Sequence, residues 1–170
     1  CRLCFVEVEG IPDPVPSCTQ KVRGGMVIRT DTPAVRRLQR AGLQLLLSAH
    51  DVNCAECPGN KKCDLQKIAR FLKVGLKPKR LERFVKEAAA GDEHPFLEFH
   101  PERCVLCGRC VYVCRKKHGR PFLTFAKRGF DTVISFYGEK AMARPACGEE
   151  LACVEICPVA AILPKDRGDC

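Results

Sequence analysis

The 170-residue chain contains no Trp, only 2 Tyr and 2 Met, and aromatic residues make up 6% of it. With 12 Pro and 13 Gly beside them, that composition predicts a loop-rich body of one or two domains. No apolar run approaches the ~20 residues of a membrane span, and nothing has the layout of a secretory signal. The expectation is a soluble, cytoplasmic chain with no direct membrane span. No aromatic-interleaved basic stretch supports a nucleic-acid surface, despite a formal charge of +9. A Gly-rich dinucleotide loop is missing too. What the chain has in quantity is sulfur. Its 14 Cys reach the share at which composition points to disulfides or metals. In a cytoplasmic setting, metal is the better account.

The densest run is CVLCGRCVYVC, Cys104 to Cys114, followed further on by CVEICP, Cys153 to Pro158. The first stretch reads C-x2-C-x2-C-x3-C, the ligand run of a bacterial ferredoxin with [4Fe–4S] clusters. There the first three thiolates hold one cluster and the fourth crosses to another. Cys104, Cys107 and Cys110 are therefore expected to be completed by Cys157, and Cys114 to join Cys147 and Cys153 at a second site. A cubane needs soft thiolates converging from several directions, and a tight loop can wrap three round one face. Zinc prefers separated C-x2-C pairs, which fits this run poorly. One position departs from the double-cluster pattern, because Glu150 stands where another Cys is expected. Three outcomes are open: a cubane with Glu150 or an outside ligand on its fourth iron, a three-iron cluster on three thiolates, or a lost site.

Two further sets lie upstream. Cys1, Cys4 and Cys18 match the last three ligands of a plant-type [2Fe–2S] site, whose first ligand should lie upstream of this chain. His50-x3-Cys54-x2-Cys57-x5-Cys63 forms an array in a Pro/Gly-broken loop, where ligation by the imidazole is the better reading. One imidazole in place of a thiolate should shift the potential upward relative to a four-Cys site. His94, His100 and His118 fit no ligand spacing and are read as non-ligands. Cys170 is read as a free thiol. Because ligating thiols are deprotonated, four such clusters would carry about −7, leaving the loaded protein near +2 rather than +9.

Around these sets, FVEVEG and MVIRT read as short strands, and Thr32-Pro33 reads as a helix start. Val35, Leu38, Gly42 and Leu45 would form its apolar stripe, with Arg36, Arg37 and Arg40 turned to solvent. Asp64 would cap LQKIARFLKV, and a charged helix is expected from Pro78 to Ala90. FLEFH should be a strand, and the segment after Cys114 a hairpin turning at Gly129.

Taken together, CRLCFVEVEG, GMVIRTDT, HDVNCAECPGNKKCDLQKIA, CVLCGRCVYVC and CVEICPVAAI resemble the N-terminal iron–sulfur region of the large subunit of respiratory complex I. The diaphorase iron–sulfur subunit of bidirectional NiFe hydrogenases, [FeFe] hydrogenases and NAD-dependent formate dehydrogenases share it. The resemblance implies an α+β fold in three parts. Residues 1–32 would end a β-grasp [2Fe–2S] ferredoxin domain, and 33–91 would form a small helical His/Cys3 [4Fe–4S] domain. Residues 92–170 would form a bacterial-ferredoxin-like double-cluster module. The function implied is an electron-transfer subunit between a flavin-containing, NAD(P)H-oxidising partner and a catalytic partner, cytoplasmic or peripheral to a membrane complex. The alternative is the front of a larger catalytic polypeptide, a hydrogenase or formate dehydrogenase; a zinc-bound structural module is the third reading. No catalytic centre is visible: there is no extra cysteine set for a hydrogen-activating site and no room for a molybdopterin fold.

Overall fold

Thr32 and Pro33 start the longest helix, α1 (Pro33–Ser48), and the Val35 backbone N–H donates to the Thr32 hydroxyl at 3.2 Å. That bond satisfies one of the amides a helix start leaves without a partner. The computed structural model describes residues 3–86, 94–120, 122–137 and 151–165. Cys1, Cys147, Glu150 and Cys170 lie outside the described residues.

Before α1, β1 (Phe5–Val8) is the central strand of a small antiparallel sheet, flanked by β2 (Val15–Pro16) and β3 (Ile28–Arg29). The alternation in FVEV turns Val6 and Val8 inward. On the other face, the Glu7 carboxylate accepts from the Thr32 hydroxyl at 2.7 Å, which ties the sheet to the start of α1.

The buried stripe of α1 is Val35, Gly42, Leu43 and Leu47. Leu45, expected on that stripe, is 62% exposed; two residues from Leu43 and Leu47, it falls on the far side of a 3.6-residue turn. Arg36 and Arg40 are not simply solvated either. Arg36 pairs with Asp31 and lies 4.2 Å over the Phe71 ring, and Arg40 donates to the Leu72 carbonyl at 2.9 Å. They clamp α2 (Asp64–Leu72), the second bond capping its C-terminus. The N-cap of α2 is Cys63, and Asp64 is the first helical residue rather than the cap.

The charged helix expected from Pro78 is absent over residues 78–86. Tertiary contacts compete with it. The Phe84 N–H donates to the Ser48 carbonyl at 2.9 Å, Arg83 reaches Asp51 at 3.3 Å, and Phe84 stacks on Phe130. A helix would satisfy that N–H internally and carry the ring away.

The remaining elements form a second unit. They are β4 (Leu97–Phe99), α3 (Arg109–His118), β5 (Leu123–Ala126), β6 (Val133–Phe136), α4 (Ala152–Glu155) and β7 (Ile162–Pro164). β4 pairs antiparallel with β7, and β5 with β6 in a hairpin that turns at Gly129, φ +62°. Two cores result. One joins Leu43, Leu47, Leu65 and Leu72 to Val159 and Ala161, and the other joins Leu97, Phe122, Leu123, Ile134 and Ile162. Cys104 packs against both. The α+β mixture is thus arranged so that cysteine segments lie at the seams.

Candidate metal centres

Helical spacing decides the geometry of the largest set. Cys110 and Cys114 are four residues apart on α3, so both point from one face. α4 packs against α3 and carries Cys153, with Cys157 four residues further on. One cavity is lined by Cys104, Cys107, Cys110 and Cys157 with Val105, Ile134, Val159, Ala161 and Ile162. A second, of comparable volume, is lined by Cys114 and Cys153 with His94, His118, Leu97, Phe122 and Leu151. Adjacent turns of α3 therefore serve different cavities.

The first cavity offers backbone donors to two of the sulfurs that line it. Leu106 and Ala160 adopt left-handed φ values of +53° and +50° beside Gly108 at +72°. The turns aim backbone N–H groups inward: Leu106 donates to Cys104 Sγ at 3.4 Å and Ala161 to Cys157 Sγ at 3.2 Å. Cys110 sits in the first turn of α3, at the positive end of the helix dipole. A side chain at Gly108 would meet the Phe125 ring at 3.2 Å, so this loop is closely backed as well as twisted. Burial raises the Cys104 thiol and pushes Cys110 up to about 12. In the metal-free chain these groups hold their protons, and a cation must displace them. Among the described residues, no three His, Cys, Asp or Glu converge on a point as one small ion requires; the four thiols stand around a space instead.

Cys54, Cys57 and Cys63 occupy the loop between α1 and α2, with the Cys57 N–H donating to the Cys54 carbonyl at 3.4 Å. Burial raises the Cys63 thiol, and the nearby Cys57 and Cys54 raise it further, so the three are close enough to repel as anions. His50 is buried just beyond α1, with Nδ1 lacking a partner among the described residues. Burial depresses its pKa, opposed by a hydrogen bond to the Arg103 backbone. The neutral ring that results is the form able to ligate.

These two regions are stitched together next to their candidate ligands. Asp51 N–H, next to His50, donates to the Glu102 carbonyl at 2.7 Å, and Asp64 N–H, next to Cys63, donates to the Pro158 carbonyl at 2.9 Å. Gly59 is pressed so closely on Ala160 that a side chain would meet its Cβ at 3.0 Å.

At the edge of the small sheet, Cys4 and Cys18 lie with sulfurs 3.5 Å apart, and Ser17 N–H donates to the Cys4 carbonyl at 2.9 Å. A hydrogen bond from the Cys18 backbone, with burial opposing it, lowers the Cys4 thiol below its ordinary value.

Of the histidines read as non-ligands, His100 sits 3.1 Å from the Glu102 carboxylate. His94 differs, because it is buried in the wall of the Cys114 cavity with its Nε2 lacking a partner among the described residues. No spacing rule points to it; only the fold brings it there. Burial depresses it to about 4.

Three family models match in tandem. A 2Fe-2S iron-sulfur cluster binding domain matches residues 1–33, and the NADH-ubiquinone oxidoreductase-G iron-sulfur binding region matches 39–76. The ferredoxin-like domain of NADH-quinone oxidoreductase subunit 3 matches 94–163. The chain belongs to this iron–sulfur family. It is 34% identical to the 78 kDa subunit of NADH-ubiquinone oxidoreductase from Neurospora crassa, over 97% of this chain and 22% of that protein. It is 33% identical to the 75 kDa subunit of NADH-ubiquinone oxidoreductase from Reclinomonas americana, over 97% of this chain and 23% of that protein. To the NADP-reducing hydrogenase subunit HndD of Solidesulfovibrio fructosivorans it is 30% identical, over 98% and 28%. The chain thus spans about a fifth to just over a quarter of these relatives. Its fold also matches a chain of a NAD+-reducing [NiFe]-hydrogenase in the H2-reduced state, at TM-score 0.78 and 27% identity, covering 99% of this chain and 70% of that one. As a family member it carries [2Fe–2S]- and [4Fe–4S]-binding regions. No helix among the described residues is long and apolar enough to cross a membrane.

Proposed function

We propose that the chain is the electron relay of a larger oxidoreductase, passing single electrons between an NAD(P)H-oxidising flavoprotein partner and a catalytic partner. Bound iron–sulfur clusters would supply the one-electron chemistry. The chain's own residues hold, insulate and tune. Cys104, Cys107, Cys110 and Cys157 hold one cubane, and the N–H groups of Leu106 and Ala161 stabilise its anionic sulfurs. Ile134, Val159 and Ile162 keep water out. His50, Cys54, Cys57 and Cys63 hold a second. Cys114, Cys147 and Cys153 hold a third cluster, with Glu150 or an outside group on any fourth iron. Cys1, Cys4 and Cys18 serve the [2Fe–2S] site with a ligand from upstream. The domains divide at 32/33 and 91/92.

The observation that carries this reading is four thiols around one cavity, stitched by backbone hydrogen bonds to the His50–Cys63 loop. Adjacent ligand sets with few residues between them suit charge hopping. The partners are inferred from the relatives, which are named as subunits of NADH- and NADP-linked enzymes. Iron and acid-labile sulfide content, with EPR of the reduced protein, tests it. Three occupied cubanes give about twelve irons, an empty Cys114 site about eight, and an intact [2Fe–2S] site adds two. A colourless protein containing stoichiometric zinc would overturn the relay. The hydrogenase relative favours a second reading, the front of a catalytic polypeptide; the length of the native gene product separates the two.

A further inference from the structure

The cavity on the Cys114 side of α3 contains a buried nitrogen that nothing in the described structure satisfies. His94 is 4% exposed and lines that cavity with Cys114 and Cys153. Two contacts fix its ring. The Phe96 backbone N–H donates to Nδ1 at 3.1 Å, and the Phe136 ring meets it edge-on with centroids 4.6 Å apart. A ring nitrogen that accepts a hydrogen bond carries no proton, so the proton of the neutral imidazole is on Nε2. Nε2–H is therefore a donor, and it is the atom left without a partner. A buried donor with no acceptor is costly, so it marks a place where an acceptor belongs.

We propose that His94 is a positioning residue for the second site of the ferredoxin-like module, its Nε2–H donating to a sulfur held at Cys114 and Cys153. This rests on the reading of that cavity as a cluster site and deepens it. The acceptor needed is one a thiolate or inorganic sulfide supplies. As a thiol, Cys114 has the Arg120 carbonyl at 4.0 Å to donate to; once deprotonated it can only accept, and a donor already stands in the same wall. The tautomer also separates this role from ligation. Binding iron through Nε2 would require a lone pair there, move the proton to Nδ1, and set it against the Phe96 N–H. A donor to sulfur favours the more negative, reduced state, so His94 raises the potential of this site.

The test uses the protein loaded with iron and sulfide under anaerobic conditions, with EPR-monitored redox titration of wild type, His94→Gln and His94→Leu. Glutamine keeps an N–H donor and leucine has none. His94→Leu should retain its iron while the reduction equilibrium constant of the second site falls about tenfold, or about 59 mV for a one-electron couple. His94→Gln should recover part of that, and the signal of the Cys104 site should stay at its wild-type potential in both. An unmoved second-site potential in His94→Leu overturns the donor role and leaves the cluster reading intact. Loss of second-site iron alone in that variant overturns it in favour of ligation. Should His94→Leu fail to fold, pulsed EPR of wild type labelled with 15N-histidine decides. A weak coupling on the second-site signal supports the donor, and a strong one or none overturns it. Wild type with no cluster for Cys114 and Cys153 removes the cavity reading and the donor role together.

Discussion

Cys18 and Cys110 are the same residue in opposite settings. Cys18 is exposed at the edge of the small sheet, 3.5 Å from Cys4, whose thiol is lowered chiefly by a backbone hydrogen bond. Cys110 is buried in a core, and that burial pushes it up to about 12. At the sheet edge the sulfurs are additions to a fold that packs without them. Between the two cores they are themselves core side chains, so under the proposed cluster reading loading metal and completing the interior are one event.

The sharpest way to break this contrast is to remove one sulfur from each setting. Cys104→Ala should cost about four irons and lower the thermal transition strongly, because Cys104 touches both cores. Cys18→Ala should lose only the [2Fe–2S] signal and leave the transition nearly in place. Equal destabilisation of the two would erase the distinction. Next in size is Leu43→Ala, a fully buried residue in the core that includes Cys63. Denaturant titration of the loaded protein should show a loss of about 2–5 kcal/mol. A loss well under 1 kcal/mol would mean that metal, rather than packing, holds that core.

Acidity gives a third comparison. In the metal-free chain, Cys110 keeps its proton in the folded state at pH values where the unfolded chain releases it. Its contribution is complete below about pH 9 and is lost as pH rises from there through about 12. His94 works at the other end. Its pKa falls from 6.5 to about 4 on folding, so its contribution is present above 6.5 and lost as pH falls through about 4. Denaturant midpoints against pH should show both limbs in the metal-free chain. The alkaline limb should be absent once iron is bound, since ligated sulfur has no proton to lose. Smallest is Thr32→Ala, which removes the α1 cap and its link to Glu7. About 1 kcal/mol should be lost, with iron content unchanged.

Reading the residues in order recovers what depends on near neighbours. Thr32-Pro33 is a helix start because a hydroxyl three residues ahead of an amide can reach it. The turn at Gly129 between two alternating runs is a hairpin for an equally local reason. Local preference gives way where a distant segment offers more. Residues 78–86 have a helical pattern, yet Ser48, Asp51 and Phe130 hold Arg83 and Phe84 in another conformation. Arg36 and Arg40 look like solvent-facing charges until α2 packs beside them.

The grouping of the candidate ligands is local in the first sense, and the setting of His94 depends on the second. Three thiols within seven residues can share one loop whatever the rest of the chain does, because loop geometry is set by covalent reach. Whether a nitrogen is stranded is a sum over every segment that packs around it. For His94 that sum includes Phe96, Phe136 and the α3–α4 pair, which meet only when the chain has folded.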